Sequence, residues 1–190
     1  MSDKQTEIAI KNMVCDRCIS VVKSLLEENN FDFSDVRLGN ISFKKQLSEN
    51  EVNHLSLKLK NEGFEIIHSI DDQLVSQIKT LVIQNIFHEK EILDGQKFSD
   101  YLSSNIGVNY SRLSKLFSMH ENSTIEHYII FQKIERAKEL LSYNELTLSQ
   151  ISYELNYSSP QHLSRQFKQI TGSTPSIFKK NGARAKLDTI

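Results

Sequence analysis

The 190-residue chain is 38% hydrophobic and 25% charged, with six glycines, two prolines, two cysteines and a formal net charge of −1. That composition is ordinary for a soluble globular protein, and the length suits one large or two small domains. It excludes a disulfide framework, and no apolar run approaches the roughly 18 residues of a membrane span.

The opening MSDKQTEIAI lacks the basic, apolar, small-residue order of a secretory signal, so a cytoplasmic protein with reduced thiols is expected. EIAIKN alternates apolar and polar residues and predicts a short strand. It runs into NMVCDRC, which holds both cysteines, Cys15 and Cys18. From Cys18 to Leu26 the residues Cys18, Val22, Leu25 and Leu26, with Ile19, share one helical face. FDFSDVRL and ISFKKQL flank a two-residue Gly39-Asn40 turn and predict a β-hairpin. Ser48 and Glu51 form a capping box for a second helix facing inward with Val52, Leu55 and Leu59. Gly63 ends it, and FEII supplies a last strand. The order β-α-β-β-α-β is that of a ferredoxin-like split unit over residues 1–70.

Residues 72–93 predict a linking helix with an apolar stripe, Leu74, Ile78, Leu81, Val82, Ile86 and Leu93, and Asp94-Gly95 breaks it. The stripe could meet either neighbouring domain or a second copy of the chain. Thereafter the chain repeats itself. LSSNIG (102–107) parallels ISYELN (151–156), LSKLF (113–117) parallels LSRQF (163–167), and NSTI (122–125) parallels GSTP (172–175). Each copy reads as a short helix, a tight turn and a second helix. Asn109 and Ser159 suit the N-caps of the second helices, and Pro160 and Pro175 suit first helical positions. Between the copies a long connector helix keeps Ile125, Tyr128, Ile129, Ile134, Ala137 and Leu141 on its apolar side. The expected fold is therefore an α+β domain (1–70), a linking helix (71–95) and an all-α domain (96–190) with two helix-turn-helix units around a connector helix.

Charge is unevenly placed. Residues 1–70 hold 9 Lys/Arg against 11 Asp/Glu, whereas from Pro160 onward the balance is 6 against 1. A basic C-terminal end suits a partner rich in phosphate. In a helix-turn-helix the second helix enters the major groove. With Leu113 and Phe117, and again Leu163 and Phe167, turned to the core, the other face of the first copy offers Ser111, Arg112, Ser114 and Lys115. The second offers Gln161, His162, Ser164 and Arg165. Arg and Lys can donate to guanine, Gln can pair with adenine, and Ser reaches either base. Lys168, Lys179, Lys180, Arg184 and Lys186 are candidates for phosphates, which position without reading sequence. Two such faces on one side of B-DNA would enter grooves roughly 34 Å apart.

Phe98 to Lys180 resembles the DNA-binding domain of AraC/XylS-type transcription regulators. The resemblance lies in Tyr128-Ile129, Ala137 and Leu140-Leu141 of the connector, then in Phe167-Lys168, Gly172 and Thr174-Pro175. It implies two helix-turn-helix units, double-stranded DNA as partner, and RNA polymerase and a second copy of the chain as further partners. Asn156 and Asn122 stand where that family has glycine, and Lys133 where it has arginine. Asparagine tolerates left-handed backbone, so both turns are expected to survive.

NMVCDRC has a structural reading, two small core residues, and two chemical ones. A thioredoxin-type redox pair would have a proline facing it, and none precedes Pro160. A metal clamp fits better, because Cys18 lies in the first turn of a helix, where thiolate is favoured. Two thiolates make a soft site suited to Cu(I) or another thiophilic ion, with zinc requiring further ligands. His54 and His68 are read as surface residues. Residues 7–67 also resemble heavy-metal-associated domains, βαββαβ units with a GMTCxxC loop. Met13, Cys15, Cys18 and Gly63-Phe64 match, while Asn12 and Val14 replace glycine and threonine. The resemblance makes Cys15 and Cys18 candidate ligands and Met13 a core anchor.

These residues lead us to expect a transcription regulator whose N-terminal unit responds to a thiophilic metal. One alternative makes that unit an interaction or dimerisation module with structural cysteines. Another makes the chain a metal-delivery protein. No nucleophile elbow, phosphate loop, HExxH or close carboxylate pair points to an enzyme.

Overall fold

The structure, a computed structural model, describes residues 6–88 and 96–180. Its contacts divide the chain into two compact units, Met1–Asn122 and Ser123–Ile190.

The first unit begins with β1 (Thr6–Lys11), α1 (Asp16–Glu28), β2 (Phe33–Arg37), β3 (Asn40–Phe43), α2 (Glu49–Asn61) and β4 (Glu65–Ile67). The strands form one antiparallel sheet in the order β2-β3-β1-β4. Ile8, Ile10, Ile41 and Phe43 from the sheet pack with Val22, Leu26, Leu55 and Leu59 from the two helices in one buried core. Met13 is 1% exposed and belongs to it, beneath the cysteine loop as expected. The capping box of α2 is complete: the Ser48 hydroxyl accepts from the Glu51 N–H, and the Glu51 carboxylate accepts from the Ser48 N–H at 2.8 Å. The hairpin turn differs by one residue from the Gly39-Asn40 expectation. Leu38 and Gly39 make the turn and Asn40 already pairs with Arg37. Gly39 alone takes the positive φ, +76°, while Asn40 also faces Ala9 of β1, so two strand partners hold it in the sheet.

Next come α3 (Ile70–Ile83), a π-helical turn at Gln84–His88, α4 (Phe98–Ile106) and α5 (Tyr110–Glu121). The linking helix starts two residues before its predicted position because Ser69 caps it, accepting from the N–H groups of Asp71 and Asp72. Leu74, Ile78 and Val82 are buried as the stripe predicts, and Leu81 is half-buried. Leu93 and Asp94-Gly95 lie outside the described residues. Packing resolves the stripe's destination: α3 lies against β1 and β4 on one side and α4 and α5 on the other. Lys79 on α3 pairs with Glu121 on α5, and Asp72 lies 3.1 Å from His120.

The second unit comprises α6 (Ile125–Tyr143), α7 (Leu148–Glu154) and α8 (Pro160–Thr171), with residues 175–180 also helical. Ile125, Ile129, Ile134, Ala137 and Leu141 of α6 are buried, which is the predicted apolar side. Among the described residues no helix is long and apolar enough to cross a membrane.

Candidate functional site

Two helix pairs, α4–α5 in the first unit and α7–α8 in the second, are built from the same local chemistry. A left-handed residue follows the first helix of each pair, Gly107 at φ +72° and Asn156 at φ +53°. The second helices open on side-chain caps. Asn109 Oδ1 accepts from the Ser111 N–H at 2.8 Å, and Ser159 Oγ accepts from the His162 N–H at 3.1 Å. Pro160 occupies the first helical position of α8, where its missing N–H costs nothing. Both second helices end left-handed, at Asn122 (φ +50°) and Gly172 (φ +78°). The glycine and asparagine have exchanged places between the pairs, so each pair keeps one of each.

The candidate reading residues follow from that frame. Leu113 and Phe117 are fully buried in the first unit, and Leu163 and Phe167 in the second. Ser111, Arg112 and Lys115 are exposed and Ser114 half-buried, while Gln161, His162, Arg165 and Lys168 are exposed and Ser164 half-buried. Position by position the two helices have the same inside and outside from Ser111 to Phe117 and from Gln161 to Phe167, except that Leu116 is buried where Gln166 is half-buried. Lys180 is exposed and Lys179 half-buried, whereas Arg184 and Lys186 lie outside the described residues.

His162 is held in place more closely than its neighbours on the sequence would suggest. Its Nδ1 lies 3.1 Å from Ser158 Oγ, and its ring meets Tyr157 edge-on, with centroids 5.3 Å apart. If Ser158 donates to Nδ1, Nε2 carries the proton and is the imidazole's remaining donor. Sequence reasoning missed Ser158 and Tyr157. The available signal was a serine four residues before a histidine, which recurs at Ser123 and His127 with 3.2 Å between Oγ and Nδ1. Burial raises the Tyr157 phenol to about 12 and lowers the Lys133 ammonium, which lies 5.3 Å from the Tyr157 ring centroid. A cation over an aromatic face is attracted by the ring quadrupole.

The cysteine loop sits at the start of α1, where Cys15 is the N-cap residue and Cys18 lies in the first turn. Asn12, in place of a glycine, takes φ +71° and donates from Nδ2 to Gly63 O at 3.0 Å. That bond ties the loop to the turn before β4. The two Sγ atoms are 3.3 Å apart, and both residues are half-buried. The Cys18 backbone N–H lowers the Cys15 pKa most; the Cys18 thiol and Arg17 act in the same direction, and burial opposes them. Two sulfurs can share one ion when they lie closer than about 4.6 Å, twice a metal–sulfur bond, and the 3.3 Å separation is within that reach. Among the described residues no third His, Cys, Asp or Glu joins them to make a metal-holding group. His54 and His68 are exposed.

Residues 102–181 match the model of a family described as a helix-turn-helix domain. An uncharacterised HTH-type transcriptional regulator of Pseudoalteromonas carrageenovora is 32% identical over 106 residues, 56% of this chain and 59% of that protein. Histidine kinase P4 of Formosa agariphila is 32% identical over 113 residues, which is 60% of this chain but 8% of that protein. The chain thus spans 8% and 59% of the lengths of these two curated relatives. A solved AraC-type regulator from Chromobacterium violaceum superposes with a TM-score of 0.51 at 20% identity, over 59% of this chain and 94% of that one. The matched region runs from the second half of α4 through α5, α6, α7 and α8. Residues 102–181 of this chain thus match a helix-turn-helix domain family, and the chain shares the fold of a solved AraC-type regulator.

Proposed function

We propose that this chain is a sequence-specific, double-stranded-DNA-binding transcription regulator of AraC type. Each helix pair acts as a helix-turn-helix unit, and α5 and α8 are the reading helices. The observation that supports this best is the matched burial of the two helices: the same Leu and Phe positions are inside and the same polar positions outside. Arg112, Lys115, Gln161, His162 and Arg165 are the candidate base readers. Ser111 and Ser114 in α5 and Ser164 in α8 lie on the same faces, and the exposed Lys168 is the candidate phosphate contact. A cytoplasmic setting, pairing with a second copy and contact with RNA polymerase complete the reading.

The test is selection of a binding sequence from a random duplex pool, followed by anisotropy titrations in rising salt. A slope of several units in log affinity against log salt is expected. Arg165→Ala should lose about 1–3 kcal/mol on the selected site, with relaxed preference at one base position. Lys168→Ala should weaken all sequences alike and flatten the slope by about one unit. Selection that enriches no sequence would refute the assignment.

For the N-terminal unit the proposal is regulatory, with a ferredoxin-like fold suggested by its element and strand order. Cys15 and Cys18 would hold Cu(I) or another thiophilic ion, because the pair lies within reach of one soft cation and Cys15 is biased towards thiolate. Metal analysis of anaerobically purified protein should find an ion lost in Cys15→Ser/Cys18→Ser. The alternative, an interaction module with structural cysteines, is favoured by the packing of Cys18 against the core. It predicts equal metal content and unchanged regulation in that double variant. A metal-delivery protein would hold metal but select no DNA sequence.

A further inference from the structure

A cavity of about 290 Å3 lies between α3 and the sheet, within the first compact unit. The β2–β3 turn, β1, β4, α3 with its π-helical turn, and the end of α4 form its walls. Its polar lining is mainly carboxamide: Asn40 from the sheet, Gln73, Gln77 and Gln84 along α3 and the turn after it, and Asn105 from α4, with the hydroxyls of Ser76 and Thr80. Among the described residues no ionisable side chain and no aromatic ring lines it.

Two features set this cavity apart from an ordinary wet groove. Positions 73, 76, 77, 80 and 84 recur at helical spacing, so α3 turns an uncharged polar stripe towards the sheet beside the apolar stripe that packs it. A polar helix face normally looks to water. In addition, Asn40 Oδ1 is buried with no hydrogen-bond partner. An unmet buried acceptor costs roughly 1–3 kcal/mol. The terminal torsion of an asparagine is soft, so a donor in the cavity could satisfy that oxygen after a turn of the amide.

The lining selects by chemistry. Carboxamides and hydroxyls both donate and accept, which matches groups that do the same. An ion would leave water and find no countercharge. A flat aromatic ligand would find no ring to stack on. We infer that this cavity is a binding site for a small, uncharged molecule with several hydroxyl or amide groups, held between Asn40, Gln77 and Asn105. Such a molecule would tie the sheet to α4 directly. The binding does not depend on the chain reading DNA.

Matched neutral and charged probes test this by NMR on the side-chain amides of the full chain without DNA: glucose against gluconate, and malonamide against malonate. At least one neutral probe should shift the Asn40, Gln77 and Asn105 amide signals saturably, with a dissociation constant of about 10 mM or tighter. The hydroxyl arm and the amide arm separate the two sources of that chemistry. Ser76→Leu, which fills the cavity, should abolish the shifts. Gln77→Leu, at an exposed helical position that should not compromise folding, should weaken binding at least tenfold. A merely hydrated groove predicts no saturable shift with either neutral probe, and that result overturns the inference. So do equal shifts from the charged partners, or an unchanged dissociation constant in Gln77→Leu.

Discussion

At the residue scale the two helix pairs solve one backbone problem with two side chains. A left-handed conformation costs an ordinary residue roughly 1–2 kcal/mol, and glycine and asparagine bear it best. Asn156→Ala should therefore lose about 1 kcal/mol in urea unfolding, while Asn156→Gly stays within about 0.5 kcal/mol of the parent. Tyr157 presents the opposite situation. Its hydroxyl is buried without a partner, so Tyr157→Phe should be neutral or stabilising by about 1 kcal/mol. The phenol is pushed from 10.0 up to about 12 in the fold. The folded chain therefore keeps that proton where the unfolded chain releases it, and stability falls as pH climbs through this window. Tyr157→Phe should flatten that alkaline limb. Cys15 is displaced the other way, below 9.0, chiefly by the Cys18 N–H. In Cys18→Ser that N–H is retained, and the pH–rate profile for alkylation of Cys15 should have its midpoint below 9.0.

At the scale of the element, helix ends were legible because caps act over three or four residues. Ser48 with Glu51, Asn109, and Ser159 with Pro160 each cap the helix that their spacing predicts. Ser159→Ala should cost about 1 kcal/mol. It should also loosen the start of α8, visible as faster amide exchange at His162, whose N–H the serine accepts. Helix faces were equally legible, since Leu113 with Phe117 and Leu163 with Phe167 follow from spacing alone. The hairpin turn was not. Gly39-Asn40 and Leu38-Gly39 are both plausible by composition, and the choice rests on the pairing of Asn40 with two neighbouring strands. The orientation of His162 by Ser158 and Tyr157 was likewise hidden, because a serine four residues from a histidine is common and gains meaning only when the ring beside it is placed.

At the scale of the molecule, α3 is the element that joins the parts of the first unit. Its apolar stripe announced burial but gave no partner. In the structure the partners are β1, β4, α4 and α5 together. Ile78, fully buried in α3, is the position to test. Ile78→Ala should destabilise the first unit by about 2–4 kcal/mol. Hydrogen exchange should accelerate across α3, α4 and α5 while α6, α7 and α8 keep their protection; uniform acceleration would mean that the units unfold as one.

The sequence by itself determined the helices, their polar and apolar faces, their caps, the left-handed turns and the duplication within residues 102–181. Each of these depends on residues within a turn or two of one another. The tertiary structure decided what lies far apart in the chain but close in space: the seat of α3, the 3.3 Å approach of the two thiols with their tether from Asn12 to Gly63, and the cavity between Asn40, Gln77 and Asn105. Such contacts depend on how whole elements pack, and residue spacing along one element holds no record of the element it will meet.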